Sequence, residues 1–368
     1  MPDSPWPTHA LLDLLEIDLP IVQAPMAGAQ AGELAAAVSS AGGLGSLPCA
    51  MLTPETARDE AARIRAATNC GFAMNFFCHR PPRRDTGREA RWRERLGGYY
   101  AEFGVEPPSG DAAARAPFDA AFCEVVEEVQ PKVVSFHFGL PDDALLERVR
   151  KTKARILSSA TTVAEARFLA DKGVDAVIAQ GVEAGGHRGM FLTDDVAAQI
   201  GTFALVPQVV DAVDVPVIAA GGIADGRGIA AAFALGAAGV QIGTAYLRTP
   251  EARISDLHRQ ALAAARDEDS VLTNVFTGRP ARGIANRFVR EVGPLNPDAP
   301  SFPLAAGFVA PLRIAAESKG SGEFSPLWTG QAGPLAQTMS AGELTAALAA
   351  DAAARLRHLA RFDDRRTS

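Results

Sequence analysis

The sequence is poor in cysteine and has no long hydrophobic run. None of its four cysteines belongs to a Cys-x-x-Cys pair, so neither a zinc knuckle nor a disulfide framework is predicted. No apolar stretch reaches the ~18 residues that a membrane-spanning helix needs. The start of the chain lacks a basic segment followed by an apolar one, which argues against a signal peptide. These absences indicate a reducing compartment, and we expect a cytoplasmic protein.

The sequence also lacks an excess of positive charge. Lys and Arg total 36 and Asp and Glu total 43, which gives a formal net charge of −7. That balance argues against nucleic-acid binding through a broad basic surface. The six histidines form no His-x-x-x-His pair, so a zinc hydrolase is not indicated. With 48% hydrophobic and 21% charged residues, the chain has a globular rather than a disordered composition. We expect a small-molecule substrate, no nucleic-acid or membrane partner, and a monomer or homodimer.

Eight short apolar runs predict strands, with helix-like segments between them. Most runs are continuous rather than alternating, as in strands that are buried on both faces. A doubly wound sheet would also fit this alternation of strands and helices. The count of eight, with polar and glycine-rich residues at the strand ends, favours an α/β fold of the TIM (β/α)8 barrel type. The runs are 20–25, 43–48, 72–78, 133–139, 155–160, 176–181, 216–222 and 239–246.

Two regions depart from the alternation and set the expected domains. Residues 1–250 are predicted to form the barrel, with a charged, Pro- and Gly-rich insertion at 79–117. Residues 251–340 are predicted to form an added helical lid subdomain over the barrel mouth. Residues 341–368 contain an Ala- and Leu-rich amphipathic helix, which we expect to pack on the outside of the barrel.

Glycines lie at the ends of the last two predicted strands. Gly221 and Gly222 end the seventh strand, and Gly243 and Thr244 lie in the eighth. Barrels often bind phosphate in these two loops through backbone N–H groups, and glycine lets the backbone approach closely. The alternative is that these glycines only turn the chain at the barrel rim. Their occurrence at two successive strand ends favours a phosphate-bearing ligand.

A histidine lies in the glycine-rich loop after the sixth strand. Gln180 ends that strand, and His187 follows in the segment GVEAGGHRG. A histidine with an unperturbed pKa near ~6.5 suits proton transfer at neutral pH. The alternative is a surface histidine in a flexible loop. Its position at the rim, beside the predicted phosphate loops, favours a catalytic role.

Three further residues are candidates on weaker grounds. Met26 follows the first strand and could contact a planar ring, although core methionines are more common. Asn75 in the third strand could bind the edge of a heterocycle through its amide, or be satisfied by backbone. His137 lies between two phenylalanines, which favours a core residue over a direct role.

These motifs resemble the flavin-dependent nitronate monooxygenases, formerly called 2-nitropropane dioxygenases. The resemblance covers roughly residues 15–350 and implies FMN in a TIM barrel with an added lid. It also implies oxidation of alkyl nitronates by O2 to carbonyl compounds and nitrite. The similar segments are QAPMAG (23–28), MNFFCH (74–79), SFHFGLP (135–141), QGVEAGGHRG (180–189), PVIAAGGIADGRG (216–228), QIGTAYLRTPEA (241–252), FTGRPARGIANRFVRE (276–291) and LWTGQA (327–332).

The resemblance implies roles for individual residues. His187 falls on the family's catalytic histidine. His137 and Phe302 are candidates for contact with the substrate. The phosphate argument adds Gly221 to the cofactor positions, which are otherwise Ala24, Pro25, Met26, Asn75, Gln180, Gly185, Gly222, Gln241, Ile242, Gly243 and Thr244.

The lid departs from the family pattern, in which tyrosines are often found near the substrate. No tyrosine follows Tyr246, and the matching stretch offers Phe302 and Phe308 instead. This implies a substrate less polar than small nitro acids, unless Tyr99 and Tyr100 of the insertion fold over the mouth.

Two other functions stay open from the sequence. An NAD(P)H-dependent flavin reductase of enoyl-thioesters or quinones would use the same barrel, and its nicotinamide site would have no short motif. A non-catalytic FMN-binding module would need neither an accessible histidine nor a lid. NAD(P)H oxidation would favour the reductase, and an inert bound flavin would favour the module.

Overall fold

The structure is a computed structural model that describes residues 4–108 and 116–364, without the side chains of 361–364. Parts of the predicted barrel, insertion and C-terminal segment, namely 1–3, 109–115 and 365–368, lie outside the described residues.

Eight parallel strands form a barrel at the centre of the molecule. Each strand pairs with its neighbour, and the last pairs with the first. A parallel bridge between Val22 and Leu44 closes the ring. The predicted TIM barrel is confirmed, and the doubly wound sheet is wrong. The strands are β1 (Ile21–Gln23), β2 (Gly45–Pro48), β3 (Phe72–Phe77), β4 (Val133–His137), β5 (Arg155–Ala160), β6 (Ala176–Gln180), β8 (Val217–Ala220) and β9 (Gly239–Ile242); β7 (Gly186–His187) lies outside the ring.

Helices alternate with the strands and bury their apolar faces against them. Several begin at a polar residue whose side chain accepts an N–H of the first turn, as Thr53 and Asp225 do. The large core of the protein lies between these helices and the strands. The helices are α1 (Ala10–Leu15), α2 (Gly32–Ser40), α3 (Pro54–Ala67), α4 (Thr86–Phe103), α5 (Ala120–Val129), α6 (Asp143–Lys151), α7 (Val163–Asp171), α8 (Thr202–Val210), α9 (Gly226–Ala234) and α10 (Thr244–Leu247), with a 3-10 turn at Val196–Ala198.

The inside of the barrel is packed at its N-terminal end. Leu11 and Leu15 of α1 join the interior cluster that includes Val133, Leu157 and Ile218. Because these side chains fill that end, a ligand enters the barrel from the C-terminal ends of the strands, where TIM barrels carry their sites.

A second core lies in the added subdomain. It includes Trp92 and Leu96 of the insertion helix α4 together with Phe288, Phe308 and Phe324. The described part of the insertion is therefore packed into this subdomain. Its elements are α11 (Asp256–Ala264), β10 (Ser270–Thr273), β11 (Ala281–Ile284), α12 (Arg287–Val292) and α13 (Ala305–Ser318), followed by a 3-10 turn at Gly333–Leu335.

The subdomain also contains a small antiparallel sheet in the order β10-β11-β7. In this sheet β11 of the subdomain pairs with β7, and Ala281 lies opposite His187. Local sequence patterns predict the helices but miss this sheet, because the partner of β11 is a two-residue strand far away in the chain.

The last helix, α14 (Ala341–Asp364), packs on the barrel. Leu344, Leu348 and Ala352 belong to the large core, and the hydroxyls of Thr345 and Tyr246 are hydrogen-bonded at 2.8 Å. In the described part of the chain, no helix combines the length and apolar character that crossing a membrane requires.

Candidate active site

A cavity of about 510 Å³ lies at the C-terminal ends of the barrel strands. Its wall combines strand ends and loops of the barrel with residues of the added subdomain, among them Arg313 and Trp328. Its volume lies within the ~300–1,000 Å³ typical of small-molecule sites. The position is the one that the barrel fold assigns to an active site.

The structure brings most of the predicted site residues together in this wall. Ile242 does not line the cavity, because its side chain is buried in the core. Phe302 lies behind the wall, with its ring centroid 5.2 Å from that of His187. The predicted residues in the wall are Ala24, Pro25, Met26, Asn75, His137, Gln180, Gly185, His187, Gly221, Gly222, Gln241, Gly243 and Thr244.

His187 is held by β7 and by one side chain of the subdomain. Its Nε2 is hydrogen-bonded to Oγ1 of Thr277 at 2.9 Å, and Thr277 is buried. The next residue, Arg188, donates its N–H to the carbonyl of Pro280. The imidazole is thus part of a small sheet and is not in a loose loop.

Two barrel side chains hold the carbonyl of His187. Nε2 of Gln180 donates to this oxygen at 3.1 Å, and Nε2 of His137 lies 3.3 Å from it. Oε1 of Gln180 also accepts the N–H of Gly189 at 2.7 Å. The predicted site residue Gln180 therefore positions the backbone on both sides of Arg188.

His137 is a neutral hydrogen-bond donor in this arrangement. Since the His187 carbonyl can only accept, the proton of His137 is on Nε2, and its Nδ1 accepts from the hydroxyl of Ser159 at 3.0 Å. Burial, followed by the positive charge of Arg279, lowers the pKa of His137 to about 3. A ring with so low a pKa is a poor general base at neutral pH.

Arg188 lies beneath the site and is fully buried. Its guanidinium donates to the carbonyls of Gln180 and Gly181 at 2.7 and 2.8 Å, and to Oε1 of Gln199 at 2.9 Å. Burial, and next the charge of Arg282, lower the pKa of Arg188 to about 10. The group is still a cation at neutral pH, and it fixes the end of β6.

The glycines of the predicted phosphate loops have backbone conformations that other residues rarely adopt. Gly221 and Gly222 have φ of 109° and 71°, and a Cβ on Gly221 would lie 3.0 Å from the N atom of Ala184. A Cβ on Gly185 would lie 2.5 Å from the N atom of Gly330. These positions leave a wall of bare backbone around this part of the cavity.

The barrel and the subdomain also meet at the end of β9. Oγ1 of Thr244 accepts the N–H of Gly330 at 2.8 Å. Across the barrel, Nδ2 of Asn75 donates to the carbonyl and Oγ of Ser135 at 3.1 and 2.9 Å. Thr244 and Asn75 are therefore both fixed in the wall by neighbouring groups.

Sequence reasoning missed the residues that support the site from a distance in the chain. Thr277 and Trp328 lie in segments that resemble the family, but nothing local indicates that they contact His187. Ser135 and Ser159 become visible as partners only when β3, β4 and β5 are adjacent. The pattern of apolar and polar residues within one strand does not show which other strand lies beside it.

The tyrosines of the insertion do not reach the mouth, so the alternative in which they replace the missing lid tyrosines does not hold. The hydroxyl of Tyr99 donates to Glu291 at 2.9 Å, and that of Tyr100 donates to the carbonyl of Phe308 at 2.7 Å. Both rings pack in the core of the subdomain, because α4 turns its apolar face toward α12 and α13.

Comparison with known proteins gives a consistent result. The family model described as nitronate monooxygenase matches residues 8–351. Nitronate monooxygenases of Paraburkholderia phytofirmans and Pseudomonas aeruginosa are each 42% identical to the chain, over 92% of it and over 94% and 97% of their own lengths.

Solved structures agree with this match. The nitroalkane oxidase from Streptomyces ansochromogenes has a TM-score of 0.86 and 42% identity, covering 95% of this chain and 99% of its own. FabK from Thermotoga maritima has a TM-score of 0.71 and 27% identity, covering 96% and 98%. The resemblance found in the sequence is confirmed, and the chain belongs to the nitronate monooxygenase family of flavin-dependent oxidoreductases.

Proposed function

We propose that the chain binds FMN in the strand-end cavity and uses O2 to oxidise alkyl nitronates to carbonyl compounds and nitrite. The observation that carries the proposal is the position of His187 in the same wall as Asn75, Gln180 and the loop at Gly221 and Gly222. One cavity thereby offers a candidate base, the amide oxygen of Asn75 and bare backbone.

The residues present fit FMN. Positive φ at Gly221 and Gly222, and the close neighbours that a Cβ on Gly221 would meet, keep side chains out of this loop. Its bare backbone could therefore face a phosphate group, and Thr244 adds a hydroxyl at the neighbouring strand end. Asn75, fixed by Ser135, offers its amide oxygen to an N–H group of the ring. Met26 and Gly243 would lie along the same ligand, since a Cβ on Gly243 would be 3.8 Å from Sδ of Met26.

The bound flavin supplies the electron-accepting chemistry. In the overall reaction, two nitronates and one O2 give two carbonyl compounds and two nitrite ions, which balances atoms and charge. The protein binds and orients the nitronate and excludes water from it. With a neutral nitroalkane, His187 would first remove the α-proton; with a preformed nitronate, it would orient the anion.

The first test is an anaerobic absorption spectrum of the purified protein with bound FMN. We expect the spectrum to change on titration with ethyl nitronate and not with NADH. A spectral change with NADH alone would contradict the proposal and favour the flavin reductase. A flavin that reacts with neither compound would favour the non-catalytic binding module. A protein that takes up no FMN would contradict the cofactor assignment.

The second test is the variant His187→Asn. We expect it to keep FMN and to lose about 100-fold or more of its kcat/KM with nitroethane, which is the usual contribution of a positioned base. The matched control is His358→Asn, on the exposed surface of α14, which should keep full activity. Normal turnover of nitroethane by His187→Asn would exclude His187 as the base.

A further inference from the structure

The imidazole of His187 is surrounded by aromatic side chains. Ring centroids of Phe302, Trp328, Phe138 and Phe77 lie 5.2, 5.5, 6.1 and 6.3 Å from that of His187. Phe77 and Trp328 line the cavity beside His187, and the other two rings are packed behind them. A ligand that reaches His187 therefore meets hydrophobic ring surface.

The phenolic hydroxyls of the chain are committed elsewhere. The sequence has three tyrosines. The hydroxyls of Tyr99 and Tyr100 bind Glu291 and the carbonyl of Phe308, and that of Tyr246 binds Thr345. None of the three is among the described residues that line the cavity.

Polar groups on the subdomain side of the wall are also engaged. Oγ of Ser325 donates to Glu317 at 2.7 Å, Oγ1 of Thr329 donates to the carbonyl of Gly330 at 3.1 Å, and Nε2 of His258 is bonded to the carbonyl of Trp328 at 3.0 Å. These groups do not offer a ready partner to a second polar group on the substrate.

Most arginines near this part of the molecule are also engaged. Arg279 packs over the ring of Phe138 at 4.0 Å and donates to the carbonyl of Met190, outside the cavity wall. Arg253 pairs with Glu33 at 2.6 Å. Arg313 is exposed on α13, and Glu317 follows it one turn later in the same wall.

We propose, on the basis of the proposed function, that this aromatic wall selects nitronates with an aromatic or bulky alkyl substituent over nitronates that carry a carboxylate. The nitro group is held at His187, and the substituent packs between Phe77 and Trp328. Burial of a ring is favourable there, whereas a carboxylate between these rings would lose hydration that a single indole N–H of Trp328 does not replace.

The test compares two nitronates in the flavin-loaded protein. We expect kcat/KM for the nitronate of phenylnitromethane to exceed that for the nitronate of 3-nitropropionate by about tenfold or more. An equal or higher value for the carboxylate compound would overturn the inference. If Arg313→Gln abolished that higher value, recognition of the carboxylate would belong to Arg313.

Variants test the wall itself. In Phe77→Leu and Trp328→Leu, the ratio of kcat/KM for the phenylnitromethane nitronate to that for ethyl nitronate should fall by about tenfold. Retention of the flavin spectrum shows that each variant is folded. Phe203→Leu is the matched control, since Phe203 is 75% exposed on α8, and it should leave the ratio unchanged. An unchanged ratio in both wall variants would contradict the inference.

A binding measurement separates this inference from the reaction. Nitrobenzene has no α-hydrogen and is not turned over, so its Kd can be measured by calorimetry. We expect it to bind at least about tenfold more tightly than 3-nitropropionate. If no nitronate is oxidised but this preference holds, the proposed function fails and the selectivity stands. If 3-nitropropionate binds as tightly, the selectivity fails.

Discussion

At the scale of residues, the site depends on backbone groups held by side chains. The carbonyl of His187 accepts hydrogen bonds from Gln180 and His137. Arg188 donates hydrogen bonds to the carbonyls of Gln180 and Gly181. Because buried polar groups need partners, removing one of these donors weakens the support of a carbonyl at the site. The geometry of the imidazole therefore depends on hydrogen bonds from other side chains to the backbone around His187.

The low pKa of His137 makes stability depend on pH. In the unfolded chain the ring binds a proton near its ordinary pKa of 6.5, whereas the pKa of the folded ring is about 3. The contribution of His137 to the free energy of unfolding is therefore fully present above about pH 6.5 and is lost as the pH falls toward 3. Between pH 7 and pH 5, we expect the free energy of unfolding to fall by about 2 kcal/mol on account of His137.

Urea unfolding at both pH values checks this prediction. His137→Gln keeps a donor for the His187 carbonyl but cannot be protonated, so its stability should fall less over the same interval. The exposed His358→Gln should behave like the unaltered protein. A loss in His137→Gln as large as in the unaltered chain would show that His137 does not carry the effect.

At the scale of elements, short pieces of structure carry the site. The two-residue strand β7 gives His187 a fixed partner in β11, and the loops after β8 and β9 supply bare backbone. The long helix α14 instead contributes packing, because its buried side chains join the core of the barrel. The candidate site and the packing of α14 thus involve different elements.

The packing of α14 can be measured with a pair of leucines on the same helix. Leu348 is 4% exposed and Leu359 is 57% exposed. We expect Leu348→Ala to lower the free energy of unfolding by about 2–5 kcal/mol because it leaves a cavity. Leu359→Ala should change it by less than about 0.5 kcal/mol. Equal effects in urea unfolding would mean that α14 is not packed on the barrel as described.

At the scale of the whole molecule, two cores lie on either side of the cavity. The larger core belongs to the barrel and its helices. The smaller core joins α4 of the insertion to α12 and α13 of the subdomain. Since few side chains are shared between the two cores, we expect the subdomain to open more readily than the barrel.

Hydrogen exchange of the backbone amides tests this expectation. Trp92 is fully buried in the smaller core, so Trp92→Leu should speed exchange in α12 and α13 by about tenfold or more. Amides of β4, β5 and β6 should change little. An equal increase in the barrel strands would show that the two cores unfold as one unit.

Local sequence patterns suffice to predict the barrel and the residues at its strand ends. Continuous apolar runs indicate strands that are buried on both faces, and glycine or polar residues after such runs indicate where the strands end. His187, Gln180 and the glycine loops can therefore be predicted as site candidates without the fold. The domain limits and the roles of single residues stay predictions.

The support of these residues and the packing of the insertion follow only from the folded chain. Thr277, Trp328 and Ser159 reach the site through pairings between distant segments, and the hydroxyls of Tyr99 and Tyr100 turn away from it. The local sequence determines which face of a helix or strand is apolar. It does not determine which other element covers that face, because this depends on the packing of the whole chain.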